Sequence, residues 1–105
     1  MKILIVDDEK IILEKLKMYI SQIFTEKENI FTSDNAAKAL EIISSQQPDI
    51  ILTDIRMPGM GGLELIRKIR QTDLQIQFII LSGYGEFEYA KEAMSYGIRH
   101  YLLKP

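Results

Sequence analysis

Five residues of this chain have side chains that could do chemistry together: Asp7 and Asp8, Asp54, Ser82 and Lys104. Taken singly, each has a plain role. Asp8 reads as a helix N-cap, Asp54 as a turn residue, Ser82 as a partner for its own loop backbone and Lys104 as a solvated charge. Taken together they are harder to dismiss, because carboxylates crowded at one place repel each other unless a cation or a nearby lysine offsets the repulsion. With no cysteine in the chain, a metal must use oxygen or nitrogen ligands. Hard carboxylate oxygens favour Mg²⁺, which takes one or two carboxylates and fills its shell with water and phosphate oxygens. A hydroxyl and an ammonium beside such a cation suit a phosphoryl group.

The grouping requires a fold that collects these residues, and the hydrophobic pattern supplies one. Lys2 to Val6 is nearly all apolar beyond its first residue, as in a strand covered on both faces, and it ends at Asp7 and Asp8. Ile12, Leu13, Leu16 and Ile20 then form one stripe of a first helix. Asn29 to Thr32 reads as a second strand. Asp34 or Asn35 can cap the helix that follows, whose buried face includes Ala36, Leu40 and Ile43, and Pro48 closes that unit. Ile50 to Thr53 is a third buried strand ending at Asp54, followed by a turn-rich loop, Pro58 to Gly62, and a helix burying Leu63, Ile66 and Ile69. Phe78 to Leu81 is a fourth strand, ending at Ser82. Phe87, Ala90 and Met94 mark a fourth helix that Gly97 can end in a left-handed conformation, and Tyr101 to Leu103 makes a fifth strand before Lys104. This alternation implies an α/β fold, a doubly wound parallel sheet whose strands point their carboxyl ends at one edge, where ligands bind. All five residues lie at that edge.

At 105 residues, 47% hydrophobic and 27% charged, the chain suits one globular domain, 1–105, without a linker or repeat. No apolar run approaches membrane-spanning length, and Met1 leads directly into the first strand without a signal peptide, so a cytoplasmic location and no membrane partner are expected. A net charge of −2 with scattered Lys and Arg gives no basic stripe for nucleic acid, and DNA contact would belong to another domain. His100, the single histidine, reads as a surface residue, and Met57, Met60 and Met94 as packing.

In its ordered set of motifs the chain resembles the receiver domains of two-component response regulators: ILIVDDE, DIRMPGMGGLEL from Asp54, ILSG with Ser82, and YLLKP with Tyr101 and Lys104. The resemblance covers the whole chain. It implies a flavodoxin-like sheet in the order 2-1-3-4-5. It implies that Asp54 accepts the phosphoryl group from a sensor histidine kinase, and that Mg²⁺ is bound by Asp8 and Asp54 directly, by Asp7 through water, and by the backbone carbonyl of Arg56. Ser82 and Lys104 would contact phosphoryl oxygens, Tyr101 would be the switch aromatic, and the bond from Lys104 to Pro105 would be cis. Arg56 and Tyr84, bulky residues two places beyond the acceptor and the hydroxyl, imply slow self-dephosphorylation. GYGEFEYAKEAM looks most like receivers that precede AraC-type DNA-binding domains, so the implied output is transcription regulation.

The family's last helix is missing after the fifth strand. Part of one sheet face is therefore expected to be bare, exposing some of Phe78 to Leu81 and Tyr101 to Leu103, with self-association or a homodimer as the outcome. An aspartyl phosphatase would need a second acidic residue where Arg56 stands. A flavin-binding domain would need donors where this chain has carboxylates. A receiver-like interaction module that is never phosphorylated remains as the other reading.

Overall fold

The computed structural model describes residues 1–24, 29–73, 75–83, 87–98 and 100–104. Five strands and four helices alternate along them: β1 (Ile3–Val6), α1 (Lys10–Ile23), β2 (Ile30–Ser33), α2 (Ala36–Gln46), β3 (Ile50–Asp54), α3 (Gly62–Arg70), β4 (Gln77–Ser82), α4 (Phe87–Met94) and β5 (His100–Leu103). The strands form one parallel sheet in the order β2-β1-β3-β4-β5, as the alternation implied. The bond from Lys104 to Pro105, and Tyr84, lie outside the described residues.

Because successive side chains on a strand point to opposite faces, the all-apolar strands feed two cores. Leu4, Val6, Ile51, Phe78 and Ile80 pack with α2, α3 and α4 into the larger one. Ile3, Ile5, Leu52 and Leu81 pack with Leu13 of α1 into the smaller. One face thus carries three helices and the other carries α1.

Each helix ends where its chemistry dictates. Of the two candidate caps for α2, the structure selects Asn35, whose side-chain oxygen accepts from the Lys38 amide at 2.8 Å. The helix stops at Gln47, itself left-handed at φ 50°, one residue before Pro48. Gly97 takes φ 82° after α4, as its position suggested. Asp8 does not cap α1: the N-cap position belongs to Glu9 and no side chain bonds the free amides.

Three buried positions differ from expectation, for one reason. Stripes at three- and four-residue spacing leave open which of two neighbours faces the sheet, and the structure centres them on Ala39, Leu65 and Ala93. Leu40 and Leu63 lie half-buried at the flank. Met94 is exposed and does not pack, whereas Met57 is buried and Met60 is packed against the larger core.

The bare face is present and differs in membership from the expectation. Phe78, Ile80 and Leu81 are buried, whereas Tyr101, Leu102 and Leu103 of the edge strand β5 are 41%, 51% and 58% exposed. By register Leu102 pairs with Leu81, on the side of α1, and Tyr101 with Ile80, on the side of α4. Beside α1 an apolar groove of about 400 Å³ opens, bounded by Leu16, Ile20, Phe24, Leu52, Ile79 and Leu102.

Candidate functional site

The register of β1 against β3 pairs Val6 with Thr53, so the next residues along, Asp7 and Asp54, stand side by side at the carboxyl edge. Both strands are buried on both faces, and these aspartates are buried with them, Asp7 at 0% and Asp54 at 2% exposure. Carboxylates are held so deep only against compensation, and Lys104 supplies part of it. Its Nζ reaches past β4 to Asp54 Oδ2 at 2.8 Å, Asp7 Oδ2 at 3.4 Å and Glu9 Oε1 at 2.8 Å. The β5 backbone sets up this reach, because the Lys104 amide donates to the Ser82 carbonyl at 2.8 Å and so continues the ladder.

The compensation is incomplete. Asp7 Oδ1 accepts from the Glu9 amide at 2.8 Å, but Asp7 Oδ2 has no hydrogen bond and Asp54 Oδ1 has none. Buried polar atoms are nearly always satisfied, so Asp54 Oδ1 without a partner, next to Asp7 Oδ2 held by no more than the 3.4 Å ion pair to Lys104, calls for a further partner. Asp7, Asp8, Glu9 and Asp54 each bring one carboxylate oxygen to within 4.8 Å of the others. An all-oxygen, multiply anionic donor set fits a hard divalent cation.

The electrostatics agree. Burial pushes the Asp54 carboxyl up to about 6 despite the lowering effect of Lys104, and Asp7 adds to the rise by repulsion. Burial also raises Asp7, outweighing the Glu9 amide and Lys104. Lys104 is lowered by burial, yet its bonds to Asp54 and Glu9 more than reverse this and hold it firmly protonated.

Of the residues picked from sequence, Asp7, Asp8, Asp54 and Lys104 come together. Ser82 ends β4 one register step beyond the level of Asp54, and it is buried. Its hydroxyl makes no hydrogen bond to the cluster among the described residues. Tyr101 lies away from the carboxylates, part-exposed on β5. Arg56 is exposed, and its guanidinium lies over the Tyr89 ring of α4, 5.3 Å from the centroid. His100 is exposed at the start of β5.

Two residues of the site escaped sequence reasoning. Glu9 shares Lys104 with Asp54; the signal was the third acidic residue of DDE. Gly62 starts α3 directly against the acceptor strand, its amide donating to the Ile55 carbonyl at 2.8 Å. A Cβ there would stand 2.0 Å from the Asp54 carbonyl oxygen. Gly62 therefore lets the loop close onto Asp54, and the signal was the glycine pair in GMGG.

A parallel 2-1-3-4-5 sheet with this carboxylate edge defines the receiver class, and comparison with known proteins places the chain there. It belongs to the response regulator receiver domain family, which matches residues 3–105, and so is a receiver of two-component signalling. It is 52% identical over 104 residues to the uncharacterized transcriptional regulatory protein YesN of Bacillus subtilis, an alignment covering 99% of this chain and 28% of that protein. Among solved structures it resembles a response regulator receiver domain protein from Clostridium thermocellum (31% identity, TM-score 0.86, 99% of this chain and 82% of that one). It also resembles a two-component transcriptional regulator AraC from Clostridium phytofermentans (33% identity, TM-score 0.85, 100% of this chain and 81% of that one). The chain spans between 28% and 41% of the length of three curated relatives it matches. No described helix is long and apolar enough to cross a membrane.

Proposed function

We propose that this domain takes a phosphoryl group onto Asp54 from the phosphohistidine of a sensor histidine kinase and thereby switches an output, transcription regulation, carried outside residues 1–105. The observation that carries the reading is the pair of buried oxygens without a hydrogen bond, Asp54 Oδ1 and Asp7 Oδ2, beside a lysine already bonded to Asp54. Asp7, Asp8, Asp54 and the carbonyl of Arg56 would hold Mg²⁺, which when bound supplies positive charge to the acceptor carboxylate and to the phosphoryl oxygens.

The chain's own residues then do the following. An oxygen of the Asp54 carboxylate attacks phosphorus in line; the new O–P bond forms as the P–N bond to the donor imidazole breaks, and that electron pair returns to the imidazole nitrogen. Lys104, already beside Asp54 and fully protonated, exchanges one carboxylate contact for a phosphoryl oxygen and offsets the charge gathering there. The Ser82 hydroxyl, without a bond to the cluster beforehand, turns toward another phosphoryl oxygen. Tyr101 then turns from its part-exposed position on β5 toward the space beside Ser82, and the α4–β5 surface changes shape. In this reading the domain catalyses only its own phosphorylation and dephosphorylation and is not an enzyme for outside substrates. It works in the cytoplasm and touches DNA only through its output domain. An amphipathic helix after Pro105 would fill the apolar groove beside α1. Where that helix is absent, a second copy covers the exposed side of β5 in a homodimer.

Intact mass after incubation with acetyl phosphate and Mg²⁺ tests the reading. One added phosphoryl group is expected, absent when the metal is chelated. A chain that stays unlabelled while retaining its fold would favour the alternative, an interaction module that is never phosphorylated.

A further inference from the structure

Arg56 stands two positions after the acceptor and carries a full positive charge at the rim of a strongly acidic site, yet it pairs with none of those carboxylates. Among the described residues its contact is the Tyr89 ring, 5.3 Å below the guanidinium carbon. The two side chains border a cleft of about 310 Å³ between the loop after β3 and α4, with Met57, Leu63, Arg67 and Glu92 around it. Glu64 and Glu92 also line the cleft, but neither forms an ion pair with Arg56 among the described residues.

The side chains that helix α4 buries among those described are Ala90 and Ala93, the smallest that can make a core contact. Past its far end Arg70 ties the following turn down, donating to the Tyr96 carbonyl at 3.3 Å and to the Ile76 carbonyl at 2.7 Å. At the end nearer the carboxylates, the stack of Arg56 on Tyr89 joins the helix to the loop after β3.

We propose that Tyr89 is a positioning residue that parks the Arg56 guanidinium against α4, leaving the carboxylates of Asp7, Asp8 and Asp54 to a divalent cation and to Lys104. This rests on the cation-dependent reading of the site. Released from the ring, the guanidinium swings toward the exposed carboxylates at the mouth, Asp8 and Glu9, and competes with the cation. Because Tyr89 rides on α4, the placement of that helix and the occupancy of the carboxylate site form one linked equilibrium, and each shifts the other by the same factor.

Mg²⁺ affinity, measured on the whole chain by amide-resolved NMR titration at fixed ionic strength, tests this without reference to phosphorylation. Tyr89→Phe keeps the ring face and retains wild-type affinity. Tyr89→Leu weakens Mg²⁺ binding about two- to fivefold, the range that one exposed cation–π contact carries. In an Arg56→Ala background, Tyr89→Leu changes nothing, because no guanidinium is left to park. Signals of α4 respond to Mg²⁺ in the wild type and lose that response in Tyr89→Leu. Wild-type affinity in Tyr89→Leu, or the same loss with and without Arg56, overturns the proposal. Tyr89 is part-exposed, so Tyr89→Leu should fold, which melting without metal verifies. If the wild type itself shows no saturable Mg²⁺ response, the cation reading of the site falls, and this inference with it.

Discussion

The centre and the edge of the sheet are built to opposite specifications. β1 and β3 have helices on both sides and are almost wholly buried, and they hold Asp7 and Asp54 rigidly in an apolar setting that makes their charge costly. β5 pairs on one side alone, all four of its residues are exposed, and the described side chains that the neighbouring α4 buries are two alanines. Yet β5 leads into Lys104, which completes the site, and carries Tyr101. In the proposed reading the chemistry is thus anchored where the protein is closely packed, while its readout sits where little packing energy resists movement. A domain with the reverse arrangement could hold a phosphoryl group and transmit nothing.

Substitutions at two glycines should separate the two regions most sharply. Gly62→Ala drives a methyl group into the Asp54 backbone carbonyl, which cannot give way as a flexible side chain could, and should cost on the order of 3 kcal/mol together with most phosphoryl acceptance. Gly97→Ala meets no atom within 4 Å and pays only for its left-handed φ of 82°, about 1 kcal/mol. Denaturant unfolding of both variants tests this, and equal losses would mean that the centre is no stiffer than the edge.

Next in size is the charge buried at the centre. The folded-state value of Asp54, about 6, lies above its ordinary value of 3.8, so the fold favours the protonated form. That contribution to stability is present below about pH 4 and is lost as pH rises through about 6. Without metal, Asp54→Asn should therefore melt higher than wild type at neutral pH, by about 4–8 °C for each kcal/mol relieved in a domain of this size. The difference should shrink toward pH 4. A variant that melts lower at neutral pH would show that the bond to Lys104 outweighs burial.

A cation should relieve the same repulsion. Mg²⁺ raises the melting temperature of the wild type through preferential binding to the native state, and Asp8→Ala, at an exposed position, loses most of that rise at matched ionic strength. Melting curves across a Mg²⁺ series decide it; a full rise in Asp8→Ala would move the metal elsewhere. The smallest effect belongs to the edge. Leu102→Ser should change stability by less than about 0.5 kcal/mol in this chain, as at other surface sites. In a chain extended through the next helix the cost should exceed about 1 kcal/mol, because the side chain would then be covered. Equal costs in both chains would show that the groove stays open.

The same division explains what could be read from residues alone. β1, β3 and β4 were legible because strands buried on both faces are uninterrupted apolar runs, and because the polar residue ending each run is the one delivered to the ligand edge. Asn35 could not be chosen over Asp34 without knowing which side chain meets the Lys38 amide. Ala39 and Ala93 were passed over for Leu40 and Met94, since a larger apolar residue one position away is the better core candidate until the sheet fixes the helix rotation. Glu9 was hidden because a third acidic residue at a helix start reads as a solvated charge. Gly62 was hidden because its constraint comes from a backbone that approaches only after the loop closes. The stack of Arg56 on Tyr89 joins residues with no shared local pattern, and only the packing of α4 brings them together.

If buried Asp54, with its unpartnered Oδ1, is the acceptor, reduction of the phosphorylated chain shows it at residue level. Borohydride converts an aspartyl phosphate to homoserine, so peptide sequencing by mass spectrometry after acetyl phosphate, Mg²⁺ and borohydride locates the site. Homoserine at position 54 and at no other is the predicted result. Homoserine at Asp7 or Asp8, or labelling that persists in Asp54→Asn, would contradict it.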